Sequence, residues 1–170
     1  MKVNKSNPVI HFLQCLIQHY DHDRYWRYRE KVMTPTNNKF VLALNYVRLM
    51  YIKWCDAYNT ATLGTDIGRG AQFASRPEFP HGLNNIMIQT NVKIGKNACI
   101  NHHVIIGDNG KGEFEAPTIG DNVIIGAGAI IVGKITIGDN VKIGAGALVA
   151  EDIPSNATVV SPKPRIILKS

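Results

Sequence analysis

The amino-acid sequence predicts a mainly β chain that coils into a parallel β-helix behind a short α-helical segment. Three observations carry this. Aliphatic residues recur every six positions at Ile88, Ile94, Ile100 and Ile106, and again at Ile119, Ile125, Ile131, Ile137, Ile143 and Val149. Three residues after most of them stands Asn or Gly, at Asn91, Asn97, Asn109, Asn122, Gly128, Asn140 and Gly146. The first 59 residues lack this period and carry apolar side chains at helical spacing instead.

In the N-terminal part, Phe40, Leu44, Val47, Tyr51, Trp54 and Tyr58 follow alternating steps of four and three, which puts them on one face of a helix. Residues 8–20 and 23–32 read as two shorter helices, and 34–38, Thr-Pro-Thr-Asn-Asn, as the turn before the third. Together they would cap the open end of the coil, whose terminal strands otherwise expose unpaired edges.

In the second part the period itself is diagnostic. A helix face repeats every 3.6 residues and a strand face every 2, so a strict period of six requires short strands broken by regular turns. Two residues before eight of these ten aliphatics lies another compact apolar side chain: Val92, Ala98, Val104, Val123, Ala129, Ile135, Val141 and Ala147. Both sets face inward. The Asn and Gly positions, which tolerate positive φ, form the corners, and three hexads close one triangular coil of about 18 residues. The organisation expected is a helical segment over 1–59, a β-helix over 60–160 and a tail over 161–170.

Two places break the period. From Ile106 to Ile119 the step is 13 instead of 12, and a Gly-rich stretch at 107–117 without inward aliphatics at the expected places predicts a loop leaving the prism. From Phe73 to Ile88 the step is 15, with Pro77 and Pro80 in a stretch that cannot lie inside a sheet. Solenoids place their binding chemistry on such insertions.

Composition narrows the class. At 170 residues and 45% hydrophobic the chain suffices for one domain with a core. The longest apolar stretch, 40–54, contains Asn45, Arg48 and Lys53 and falls short of the roughly 18 uninterrupted residues of a membrane span. The reading is a soluble, cytoplasmic protein. Cys15, Cys55 and Cys99 are widely spaced with no Cys-x-x-Cys pair, so neither a disulfide framework nor a cysteine zinc site is expected. A net charge of +6 favours an anionic partner such as a nucleotide, a sugar phosphate or a membrane surface. The basic residues are scattered and accompany no recognition motif, which ranks nucleic acid last among partners.

Imidazole is the natural candidate for proton transfer near neutrality. His81 sits after Pro80 in the interruption at 73–88, off the regular sides of the prism. His102 and His103 share one corner, where His103 takes the place otherwise held by Asn or Gly and so reads as structural. His19, Asp21, His22 and Asp23 cluster but lack a matching set to complete a tetrahedral site, so no metal is expected.

Three segments carry a resemblance. Phe-Pro-His-Gly-Leu-Asn-Asn-Ile-Met-Ile at 79–88, Ala-Pro-Thr-Ile-Gly-Asp-Asn-Val at 116–123, and the paired Ile-Gly-Ala-Gly-Ala at 125–129 and 143–147 resemble the hexapeptide-repeat acyltransferases. Within them the likeness is to the serine acetyltransferase-like group, which includes O-acetyltransferases of polysaccharide synthesis. The resemblance covers residues 60–165 and implies a left-handed β-helix. It also implies an acetyl-CoA-dependent O-acetyltransferase working as a homotrimer, with cofactor sites between neighbouring prisms. It makes His81 the general base, with His102 a second catalytic residue. It places acetyl-CoA along Ala127, Gly128 and Ala145, with Lys142 near its phosphates and Lys163 and Arg165 at the nucleotide end.

Two positions depart from serine acetyltransferase. Thr60 stands where that enzyme has the aspartate paired with its histidine, and Ala116 where it has a further active-site histidine before proline. A sugar or polysaccharide hydroxyl is therefore the expected acceptor, with serine O-acetylation as the alternative enzyme reading and a catalytically degenerate β-helix scaffold as the non-enzyme one. A zinc-dependent γ-type carbonic anhydrase shares the fold but needs three converging histidines, a set His81 with His102 or His103 does not supply.

Overall fold

A computed structural model describes residues 19–110, 115–163, 166 and 167. Among these residues two helices, α1 (His22–Met33) and α2 (Lys39–Tyr58), precede twelve short parallel strands. The strands stack into three sheets that form the sides of a triangular prism. The first side holds β1 (Gln72–Phe73), β3 (Lys93–Ile94), β6 (Thr118–Ile119) and β9 (Thr136–Ile137). The second holds β4 (Cys99–Ile100), β7 (Ile124–Ile125), β10 (Lys142–Ile143) and β12 (Thr158–Val159). The third holds β2 (Met87–Ile88), β5 (Ile105–Gly107), β8 (Ile130–Val132) and β11 (Leu148–Val149). The fold is a left-handed parallel β-helix.

The registers explain the six-residue period. Ile88, Ile106, Ile131 and Val149 are aligned partners on the third side, and Ile100, Ile125, Ile143 and Val159 on the second. All ten aliphatics of the series are buried, as are all eight apolar residues two positions before them. Each fully buried isoleucine contributes roughly 1.5–3 kcal/mol, so the column of stacked aliphatics is the main source of stability.

The corners fall on three edges of different chemistry. Between the first and second sides, Asn97, Asn122, Asn140 and Asn156 all adopt positive φ, near 55–64°. Between the second and third sides the left-handed residues are Gly82, Asn85, His103, Gly128 and Gly146. The edge from the third side to the first is irregular, and here two expected corners are corrected. Asn91 and Asn109 are not left-handed; Val92 N–H bonds the Gln89 carbonyl in a turn that needs no positive φ, and the left-handed residues of this edge are Gly110 and Gly133.

The helices lie close to where they were expected, at 22–33 for 23–32 and 39–58 for 40–58. Asp21 caps α1 through Arg24 N–H, and Asn38 caps α2 through Phe40 N–H and Val41 N–H. Most of the helix expected over 8–20 lies outside the described residues, and at its end His19 has φ 49° and Tyr20 is not helical. Buried Arg29 fastens α1 to the first coil. Its guanidinium donates to Thr65 Oγ1 at 2.9 Å and to the Leu63 and Ala71 carbonyls, while lying 5.1 Å from the Trp26 ring and 5.0 Å from Phe73. Tyr25 donates to Asp56 at 2.7 Å, and burial pushes the Asp56 carboxyl up to about 6.

The apolar spacing located α2 but not the side it turns inward. Asn45, Ile52, Cys55 and Asp56 are its buried residues, whereas Phe40, Leu44, Val47, Trp54 and Tyr58 are exposed. The inward side is chosen by partners that a hydropathy pattern does not register: the Tyr25 hydroxyl for Asp56 and the Lys31 carbonyl for Asn45.

Candidate active site on one prism edge

The interruption at 73–88 is an enlarged corner. Glu78 bridges Cys99 on the second side and Met87 pairs with Ile105 on the third, so nine residues span what six span one coil later. Phe79 and Leu83 are buried and anchor this turn, leaving His81 and Asn84 exposed. Asn84 Nδ2 donates to the His81 carbonyl at 2.8 Å, Gly82 takes φ 69°, and Asn85 N–H donates to the Asn59 carbonyl at 2.9 Å at the foot of α2. The turn is held at both ends with the His81 ring outside it.

The next coil brings His102 beneath that turn. The His81 and His102 rings lie edge to face with centroids 4.9 Å apart, and the His102 and His103 rings 5.3 Å apart. The His102 Nδ1 atom is buried and has no hydrogen-bond partner. An unpaired buried nitrogen is costly, so this atom is where an incoming polar group gains most. His103 takes the corner with φ 58°, its N–H donates to the Asn84 carbonyl at 3.1 Å, and its ring reaches Asn85 at 3.5 Å.

The two Gly-Ala-Gly-Ala segments continue the same edge. Gly128 N–H donates to the His102 carbonyl at 3.1 Å, Gly146 N–H to the Ala127 carbonyl at 2.8 Å, and Ser161 Oγ to the Ala145 carbonyl at 2.7 Å. His81, His102, Ala127, Gly128 and Ala145 therefore form one column. A Cβ placed on Gly128 would meet nothing nearer than Gly146 backbone at 3.9 Å, so the edge is open and its backbone accessible. Exposed Lys142 lies on the second side, in register with Ile124 and Thr158, three residues before Ala145. Lys163 is exposed in the tail, and Arg165 lies outside the described residues.

Other candidates resolve differently. Burial, reinforced by Glu78, pushes the Cys99 thiol up, and burial pushes Cys55 up to about 11, so neither is a ready thiolate nucleophile near neutral pH. His22 Nδ1 bonds the Tyr20 hydroxyl at 2.8 Å, Asp21 caps α1 and Asp23 lies 3.7 Å from Arg76. Among the described residues no group of three His, Cys, Asp or Glu side chains is placed to hold a metal. Thr60 is exposed, left-handed, and closes the end of α2; Ala116 is partly buried against the core. The histidine pair was legible from its contexts, but the orphaned Nδ1 had no sequence signal because it depends on three-dimensional packing.

A left-handed coil of hexads with an edge of small residues is the architecture shared with hexapeptide-repeat proteins, and the similarity lies in the repeat. Residues 116–151 match the family described as bacterial transferase hexapeptide (six repeats). Beyond the repeat itself, the chain is similar to serine acetyltransferases and to a polysaccharide-related acetyltransferase. It is 41% identical over 98 residues to a serine acetyltransferase of Staphylococcus xylosus, covering 57% of this chain and 45% of that protein. It is 40% identical over 103 residues to the putative colanic acid biosynthesis acetyltransferase WcaB of Escherichia coli K12, covering 61% of this chain and 63% of that one. Among solved structures, the soybean serine acetyltransferase apoenzyme superposes with TM-score 0.66 at 27% identity, covering 93% of this chain and 62% of that one. The chain thus spans between about half and two thirds of the lengths of these relatives.

Proposed function

We propose that the protein is an acetyl-CoA-dependent O-acetyltransferase with a sugar or polysaccharide-precursor hydroxyl as acceptor. The observation that carries this is the edge-to-face His81–His102 pair at the head of the open Gly-Ala-Gly-Ala column. His81 takes the proton of the acceptor hydroxyl as its oxygen attacks the thioester carbonyl. A C–O bond forms, the C–S bond breaks, and the imidazolium returns its proton to the departing CoA thiolate. General-base help of this kind is worth about 10² to 10⁴-fold. The unpaired His102 Nδ1 holds an acceptor or thioester oxygen in place, and co-locating the two substrates adds effective concentration. Ala127, Gly128 and Ala145 offer backbone to the pantetheine arm, and Lys142, Lys163 and Arg165 offer cations to the nucleotide phosphates.

The sugar acceptor is supported by the WcaB likeness and by Thr60 and Ala116 standing at the two positions where serine acetyltransferase carries acidic and imidazole groups. The serine reading is supported by the 41% identity to the Staphylococcus xylosus enzyme. A homotrimer is supported by the third side of the prism, where Met87, Ile105, Ile130 and Leu148 form an outward apolar ladder in register beside the site edge, Leu148 being 67% exposed. Light scattering that returns a strict monomer at micromolar concentration removes a site shared between prisms.

The test is His81→Ala, assayed by thiol release with nucleotide sugars, oligosaccharides and serine. Turnover should fall by at least 10²-fold, while acetyl-CoA affinity measured calorimetrically in chelator stays within about twofold, because His81 meets the acceptor proton and not the nucleotide. Full turnover in the variant moves the base elsewhere, and absence of CoA binding in the parent protein favours the scaffold.

A further inference from the structure

Independently of that reading, we infer that the outward face of α2 is a docking surface for an anionic lipid bilayer. The face is apolar and large for a solvent-facing helix: Phe40 is 79% exposed, Met50 72% and Val47 63%, with Leu44, Trp54 and Tyr58 completing the stripe and the His19 ring packed at its far end, 5.0 Å from Trp54 and 3.8 Å from Tyr58. Exposed apolar patches of this size mark interaction sites. At 100° per residue, Val47, Trp54, Phe40 and Tyr58 fall within a narrow sector of the helix.

Charge identifies the occupant. Lys39 and Lys53 lie on one flank of the stripe and Arg48 on the other, and on that second flank Arg24 of α1 sits 6.0 Å over the Tyr51 ring. The sole acid of α2, Asp56, is buried against Tyr25, and Asp23 and Glu30 of α1 are turned to Arg76 on the coil. The stripe is therefore bordered by cations on both flanks and by no free carboxylate of either helix. Two copies meeting through this face would set the cations Lys39, Lys53, Arg48 and Arg24 of each against one another, with only Asp21, spent as the α1 cap, near Tyr51 and Asp66, paired with Arg69, near Lys53. An anionic headgroup layer neutralises them, while Trp54, Tyr58 and Tyr46 supply the amphipathic rings that settle at a membrane–water interface. No helix among the described residues is long and apolar enough to cross a membrane, so the attachment is peripheral. The aliphatic ladder on the third side of the prism differs, being built on flat strands and suited to a protein neighbour.

The experiment is co-sedimentation of the full chain with vesicles of phosphatidylcholine alone or mixed with phosphatidylglycerol. Mixed vesicles should retain the protein at least tenfold better than neutral ones, with retention falling as salt rises and Trp54 emission shifting to the blue; buried Trp26 should stay silent. Val47→Glu should weaken retention about tenfold or more, and Lys39→Gln with Lys53→Gln about thirtyfold, with melting temperature unchanged in each case. No retention of the parent protein, or equal retention by both vesicles, overturns the inference. So does a molar mass in solution that drops by a whole factor in Val47→Glu, since a second copy would then occupy the face.

Discussion

Two edges of the same prism are built on the same backbone and do opposite things with it. On the edge between the first and second sides four successive corners are asparagine, and the amides bond in series. Asn97 Nδ2 donates to Asn122 at 3.1 Å, Asn122 to Asn140 at 3.1 Å and Asn140 to Asn156 at 3.0 Å. Beside them Asp121 accepts from Lys96 N–H and Asp139 from Asp121 N–H, so each coil is stitched to the next. On the edge between the second and third sides the same backbone turn holds His103, Gly128 and Gly146, and His102 Nδ1 is left unpaired. A solenoid needs one closed edge for stability. It needs an open one to let a ligand reach backbone and ring atoms.

What the edges share gives the largest expected effect. Where glycine begins the turn it lies against the coil above: a Cβ at Gly126 would come within 2.6 Å of Ala145 N, and one at Gly120 within 2.9 Å of Asp139 N. Backbone cannot yield cheaply, so Gly126→Ala should cost on the order of 3 kcal/mol, read as a drop in denaturation midpoint. A loss below about 0.5 kcal/mol would mean the coils are free to separate at the site edge. Next comes Asn122→Ala, which breaks two amide bonds and puts alanine at φ 57°. The cost should be about 1–2 kcal/mol with turnover unaffected, and Asn122→Gly should recover the backbone share of it. Equal losses in both variants would assign the whole cost to the amides.

The sequence made the closed edge readable and the open one only partly so. Asn97, Asn122 and Asn140 announce left-handed corners because a small residue set tolerates positive φ, and the inward aliphatics announce the sides because burial follows a strict period. Asn91 and Asn109 misled because the irregular edge turns without positive φ after Gln89 and puts its left-handed residues at Gly110 and Gly133 in the later coils. His81 and His102 stood out by context, but their proximity needed the three extra residues of the enlarged corner to fold back over the next coil. The inward side of α2 was hidden for another reason: buried Asn45 and Asp56 are selected by hydrogen-bond partners, which hydropathy scores as a penalty.

Converting one edge into the other tests whether openness matters. Gly128→Asn keeps a residue that accepts φ 70° and places a side chain where the nearest non-adjacent atom is 3.9 Å away, so stability should change by less than about 0.5 kcal/mol. Its amide would stand in the column proposed for the pantetheine arm, and KM for acetyl-CoA should rise about tenfold with turnover at saturation little changed. An unaltered KM would place the cofactor on another edge.

The smallest effect should come from His103→Asn, the mildest exchange between the two edges. Asparagine suits φ 58°, and the N–H bond to the Asn84 carbonyl at 3.1 Å is made by backbone and survives. Only the 3.5 Å contact with Asn85 and the ring contact with His102 are lost, which should cost within about 0.5 kcal/mol of stability and less than threefold in turnover. The variant also separates two roles for the adjacent imidazole. If His103 merely forms the corner, turnover keeps its parental pH profile. If it orients His102, the profile shifts while the melting temperature does not, and the proton-handling group on this edge is then a set of three rings instead of a pair.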